Sequence, residues 1–312
     1  MQDAIKVFSG SGNPELAREI CDHLGIPLGK AHIARFSNEN IFVQIEENVR
    51  ERDVFVVQPL SSPVSENLIE LLIMLDALRG ASAQRITAVV PYYSYARSDK
   101  KDMPRISIAG RLIADLLVTA GANRVLTMTL HSEQVQGFFR CPADHLSATP
   151  ILCDYFRSLN LDNCVALAAD AGSARRAGQY ATRLNIPLGF IDKRRINDEE
   201  VEARVVVGEV RGRTVIFFDD EIARATSVLE AVKLLRDFDV ADIYVGATHG
   251  VLTGDAVARI ADSPISQVVV TNTIPLGPEK RGGKIVQLSV APLFGEAIRR
   301  IHTGESVSEI FE

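Results

Sequence analysis

The chain has no Cys-x-x-Cys pair, no apolar stretch of bilayer-spanning length and no excess of basic residues. Each absence closes off a class of function. The four cysteines, Cys21, Cys141, Cys153 and Cys164, are scattered, which argues against a disulfide framework and for reduced core thiols in a reducing compartment. The N-terminal MQDAIKVFSG shows no basic segment followed by an apolar one, so the expectation is a cytoplasmic protein with no leader and no membrane anchor. Against 34 Lys and Arg stand 40 Asp and Glu, a formal net charge of -6. That balance argues against generic nucleic-acid binding and leaves small phosphorylated ligands for local basic clusters such as Lys193-Arg194-Arg195. No low-complexity linker interrupts the sequence.

What is present is a 312-residue chain, 46% hydrophobic and 24% charged, with room for two domains of ordinary size. Strand-like and helix-like segments alternate almost throughout. IKVFSG leads through a Gly-Ser-Gly turn into PELAREICDHLG, a helix with Pro14 in its first turn and Gly25 at its end. HIARFSNEN and IFVQIEENV alternate apolar and polar residues as an antiparallel hairpin does. VFVVQP, RITAVV, RVLTMTL, VALAAD, IYVGATHG and QVVVTNT read as buried strands between helices, and VEARVVVGEVRGRTVIFFDD reads as a second hairpin. The expected fold class is α/β, two tandem doubly wound units, each a mostly parallel sheet flanked by helices. They fall at about 1–146 and 147–312, with the last helix free to pack back on the first unit. YARSDKKDMPR, charged and without an apolar anchor, is expected to be a mobile surface loop.

Polar groups stand at the carboxyl ends of several strands, where open α/β sheets place ligands. His131 follows TMTL, Asp170 follows VALAA, Lys193 and Arg195 follow GFID, and Asp219-Asp220 follow VIFF. Paired carboxylates suit sugar hydroxyls or a divalent cation, and the small, hydroxyl-bearing loop after them opens a helix whose N-terminus suits a phosphate. Asp170-Ala171-Gly172-Ser173 is a second such cradle. The residues alone therefore point to a Mg-dependent phosphate-transfer or phosphosugar-binding site.

PYYSYARSDKKDMPR, HSEQVQGFF, DKRR, DDEIARATS, THGVLTG and TNTIP, in this order and spacing, resemble the motifs of the ribose-phosphate pyrophosphokinase family, also called phosphoribosyl pyrophosphate synthetases. The similarity runs from VFSGSGNPELA to EAIRRI. It implies two phosphoribosyltransferase-like domains, a homo-oligomer built from dimers up to a hexamer, and transfer of the β,γ-pyrophosphoryl group of Mg-ATP to the C1 hydroxyl of ribose 5-phosphate. Residue by residue, the resemblance puts His131 and Asp170 with Mg2+, and Arg97, Asp99 and His131 with ATP. Phe36, Asn38 and Asn40 are placed at adenine across a subunit boundary. Lys193 and Arg195, with Lys100 and Arg105 on a mobile loop at 98–105, become the catalytic cations. Asp219 and Asp220 take the ribose hydroxyls, and Ala223, Arg224, Ala225, Thr226 and Ser227 the 5-phosphate. Asp170, Gly172 and Arg176 form the loop on the pyrophosphate side.

The sequence also departs from the family pattern. Thr226 stands where a Gly is common, and a Cβ at a position needing positive φ costs on the order of 1 kcal/mol. Asn38 and Asn40 replace acidic residues, Thr129 stands where Asp is frequent, and Ser173 replaces a Gly. The altered 223–227 loop keeps two alternatives in view: a regulatory paralogue with weak or no activity, and a base phosphoribosyltransferase.

Overall fold

DVFVV, RITAVV, RVLTM and CVALA bury nearly every residue, as continuous apolar runs do in parallel strands covered on both faces. In the computed structural model, which describes residues 5–170, 172–194 and 203–311, these strands belong to two compact units. The first comprises residues 1–147, 273–275 and 289–312, the second 148–272 and 276–288. Among the described residues no helix is long and apolar enough to cross a membrane. The four cysteines are free thiols, and burial pushes those of Cys21 and Cys153 up to about 12.

In the first unit, β1 (Ile5–Ser9), β4 (Asp53–Val57), β5 (Arg85–Val90), β6 (Arg124–Met128) and β7 (Ala143–Leu146) form a parallel five-stranded sheet in that order. Between them run α1 (Pro14–Leu24), α2 (Val64–Gly80) and α3 (Ala109–Ala120), while β2 (Ala31–Arg35) and β3 (Ile41–Ile45) pair as a separate antiparallel ribbon. Helix α1 starts on Asn13, whose side chain accepts from Leu16 N–H, and ends on Gly25 at φ 67°, the cap chemistry expected of these residues. Its apolar face, Leu16, Ala17, Ile20 and Cys21, is buried, and α1 packs on the C-terminal helix α8 (Ala291–Thr303). Arg85 and His302 both bond Asp53, His302 through Nδ1 at 2.8 Å. Arg85 also donates to the Ile301 carbonyl at 2.9 Å.

The second unit holds α4 (Thr149–Ser158), β8 (Cys164–Ala168), α5 (Ala174–Leu184), β9 (Leu188–Arg194), β10 (Ala203–Val207) and β11 (Thr214–Ile222). It continues with α6 (Thr226–Leu235), β12 (Ile243–Gly250), α7 (Ala256–Ala261), β13 (Gln267–Thr271) and β14 (Ile285–Leu288). The seven-stranded sheet runs β10-β9-β8-β11-β12-β13-β14 and is parallel except at β10.

Two expectations need correction. VEARVVVGEVRGRTVIFFDD is not a hairpin: β10 pairs antiparallel with β9, and β11 lies parallel between β8 and β12. β10 buries Val206 and exposes Val205 and Val207, the pattern of an edge strand, and that pattern carries no partner's name. Nor are both sheets doubly wound. Strand order in the first unit follows chain order, whereas in the second it reverses between β8 and β11, so the described strands place the topological switch point there.

Candidate functional site

At that switch point β8 pairs with β11 only as far as Ala168 opposite Phe218, while β12 accompanies β11 to Ile222 opposite Gly250. Asp219 and Asp220 therefore lie within the strand, not after it, on a stretch beyond the last β8 pairing among the described residues. Asp220 is 2% exposed. Its Oδ1 accepts from Arg176 Nη1 at 2.5 Å, and the same guanidinium stands 4.0 Å from Asp219. Asp219 Oδ1 accepts from the Asp220 amide at 2.9 Å. Burial, reinforced by Asp220, pushes the Asp219 carboxyl up to about 7. Two adjoining carboxylates under one guanidinium make a site that accepts donors, as sugar hydroxyls are.

Across the switch point, Asp170 and Ser173 close on each other. The Ser173 amide donates to Asp170 Oδ1 at 2.7 Å, and the Asp170 amide donates to Ser173 Oγ at 3.1 Å. Gly172 is the exposed residue between them, and α5 begins directly after. The serine that replaces a glycine here is thus a clasp on the loop.

Beyond β11 the chain turns through Ala223 and Arg224 to Ala225, at φ 56°, and enters α6 at Thr226. The left-handed residue is Ala225 and not Thr226, so the strain expected at Thr226 does not arise. The carbonyls of this loop are held from behind: Leu252 and Thr253 amides donate to Ile222 and Ala223, and Arg259 to Arg224. Thr226 and Ser227 are exposed at the start of α6, where first-turn amides have no intrahelical acceptor. Lys193 is placed only as a position on β9, opposite Arg204; Arg195 lies outside the described residues.

In the first unit the carboxyl ends of β1, β4, β5 and β6 carry Gly10, Gln58, Pro91 and Thr129. His131 is exposed just after β6. Arg97 ends a 3-10 turn over Ser94–Arg97, followed by Asp99 and the exposed residues 100–105, with Arg105 at φ 64°. The base of this loop is closed by Ser98, whose Oγ bridges the Ser107 carbonyl and the Ala109 amide at 3.3 and 3.2 Å. Gly110 makes the closure feasible, since a Cβ there would meet the Tyr95 and Ser98 carbonyls at 3.0 and 3.2 Å. Phe36 stands 54% exposed at the tip of the β2–β3 ribbon. There its amide donates to the Asn40 carbonyl, and the Asn40 amide to Asn38 Oδ1.

Sequence reasoning passed over several residues that shape these loops. Glu70, on α2, takes the Ser11 amide at 2.6 Å, the Ser11 hydroxyl at 2.7 Å and Gln58 Nε2 at 2.8 Å, so a buried carboxylate ties down the loop after β1. His145 and Tyr180 were likewise unmarked. Each lies far in sequence from the residue it contacts, Leu130 for His145 and Phe218 for Tyr180, and no local pattern announces it.

Residues 5–121 match a family model described as the N-terminal domain of ribose phosphate pyrophosphokinase. Residues 196–312 match the phosphoribosyl synthetase-associated domain. A ribose-phosphate pyrophosphokinase of Deinococcus radiodurans is 54% identical, covering 98% of each chain. One from Caldanaerobacter subterraneus is 48% identical over 99% of this chain and 98% of its own. The crystal structure of a phosphoribosylpyrophosphate synthetase from Mycobacterium smegmatis superposes with a TM-score of 0.91 at 40% identity, covering 96% of this chain and 99% of that one. With identity of this order sustained over nearly the whole length of both sequence and fold, the chain belongs to the ribose-phosphate pyrophosphokinase family.

Proposed function

We propose that this protein is a ribose-phosphate diphosphokinase, which moves the β,γ-pyrophosphoryl group of ATP to the C1 hydroxyl of ribose 5-phosphate and releases AMP. The observation that carries the reading is the arrangement at the switch point of the second unit. There the Asp219-Asp220 pair, the left-handed turn at Ala225 and the start of α6 follow one another within eight residues. Carboxylates accept the ribose hydroxyls, and first-turn amides with Thr226 and Ser227 hold the 5-phosphate. Arg176, with Gly172 beside it, serves the pyrophosphate side.

The first unit supplies the nucleotide side: Arg97, Asp99 and His131 for ATP, and Phe36, Asn38 and Asn40 for adenine. The exposed, solvent-facing placement of Phe36 suits a ring completed by a second copy in a homo-oligomer. Lys100 and Arg105, on the loop clasped by Ser98, act with Lys193 and Arg195 as cations aimed at the phosphoryl oxygens as charge develops there. Loop closure keeps water from competing with the sugar.

Among the described residues no group of three or more His, Cys, Asp or Glu side chains is arranged to hold a metal ion. That fits Mg2+ arriving with ATP, since this ion takes few protein ligands and keeps phosphate oxygens and water. His131 and Asp170 are the groups we assign to it, and when bound it neutralises phosphate charge. Four thiols held free, three of them buried, suit a cytoplasmic setting.

Incubation of the purified protein with Mg-ATP and ribose 5-phosphate, following AMP and phosphoribosyl pyrophosphate, tests the reading. Both products are expected in equal amounts; their absence from folded protein at high enzyme concentration excludes it.

A further inference from the structure

Strand β6 closes at Met128, and Thr129 then takes φ 42°. In this left-handed region a β-branched residue is a genuine outlier, and it persists only where its surroundings over-determine it. Two bonds from the neighbouring strand contribute. The Thr129 amide donates to the Leu146 carbonyl at 2.9 Å, and the Leu130 amide donates to His145 Nε2 at 2.8 Å. Both acceptors sit on β7, in parallel register with β6, His145 opposite Thr127 and Leu146 opposite Met128. The support therefore comes from the sheet itself. Leu130 is thereby sent inward, 3% exposed, and His131 emerges exposed one residue later.

The first of these bonds needs only a backbone at position 146. The second needs the side chain of His145. Because a backbone amide can only donate, Nε2 presents its lone pair and the ring proton sits on Nδ1. Aliphatic side chains offer no such acceptor at that reach.

We propose that His145 is a positioning residue for the reaction: its Nε2 fixes the left-handed turn that presents His131. The role rests on the assignment of His131 to ATP made above.

Three variants of the full chain test it. His145→Leu removes the acceptor at similar volume, His145→Gln keeps one at similar reach, and His131→Ala reports on His131 itself. The readouts are kcat, the KM for each substrate, and hydrogen exchange in the peptide carrying Leu130. His145→Leu is expected to speed exchange at Leu130 and raise the KM for ATP about tenfold, leaving that for ribose 5-phosphate within about twofold. His145→Gln is expected to stay within about threefold of the parent in every readout. Unchanged exchange at Leu130, or a fall in kcat alone with both KM values intact, overturns the proposal. A raised ATP KM in His131→Ala with a normal one in His145→Leu overturns it while leaving His131 in place. An unchanged ATP KM in His131→Ala removes the assignment of His131, and the positioning role with it. If His145→Leu does not fold, His145→Asn, whose amide falls short of Leu130, replaces it with the same expected shifts.

Discussion

Tyr180 lies flat on Phe218, ring centroids 4.0 Å apart and planes 7° from parallel. Four residues earlier on α5, Arg176 reaches Asp220, two residues further along β11. Four helical residues span about 6 Å and two strand residues about 6.5 Å, so one stacked pair sets the spacing at which the ion pair closes. Tyr180 is buried, and burial pushes its phenol up to about 12, so the ring acts here as a neutral packing surface.

Removing the guanidinium exposes what it balances. Arg176→Ala removes the 2.5 Å charge-assisted bond to the 2% exposed Asp220, and a loss of about 3 kcal/mol is expected. Thermal melting should show the drop. Adding Asp220→Asn to the same chain should recover most of it, because an amide carries no charge to strand.

Asp219 makes stability depend on pH. Its folded carboxyl sits at about 7 against 3.8 for the free group, so the folded state holds a proton that the unfolded chain has released. This contribution is full below 3.8 and is lost as pH rises through about 7. Melting temperatures measured between pH 5 and pH 8 should therefore fall less in Asp219→Asn than in the parent, and at pH 8 the variant should melt higher.

The loop after β11 offers a paired test. Ala225, at φ 56° and buried, gains relief of backbone strain but loses a buried methyl as glycine, so Ala225→Gly is expected to stay within about 0.5 kcal/mol of the parent. Thr226 is the first residue of α6, so Thr226→Gly should destabilise by a few tenths to about 1 kcal/mol. The opposite ranking in urea melts would return the strain to Thr226.

Lys193 is assigned to charge that develops only during transfer. Lys193→Ala should lower kcat by about 100-fold or more and change the KM for ribose 5-phosphate by less than about threefold. Equal losses in both would make it a ground-state binding residue.

Much of this architecture is local and therefore legible in the sequence. The caps of α1, the β2–β3 ribbon and the buried parallel strands follow from Asn13, Pro14, Gly25 and apolar periodicity. The carboxylate pair stood out not by itself, since Asp-Asp after a strand is commonly a solvated turn, but because polar groups recur at the carboxyl ends of successive strands, as Asp170 does after VALAA. Its true setting was not legible. That β11 continues to Ile222 depends on β12 as partner, and nothing within 214–227 encodes that partner.

The same reason hid Glu70, His145 and Tyr180. Each acts through side-chain bonds or one ring face on residues 12 to 59 positions away. A pattern of neighbours cannot show it. The reading of Thr226 failed differently, because the left-handed requirement falls one residue earlier, at Ala225, where the side chain is small.

The return of α8 to the first unit bears on biosynthesis. On a ribosome the chain emerges from its N-terminus, and the α1 surface against which α8 packs stands waiting while the entire second unit is made. Asp53 and Arg85 wait with it, for the main chain at Ile301 and the ring of His302. The first unit to be translated is thus the last to be completed.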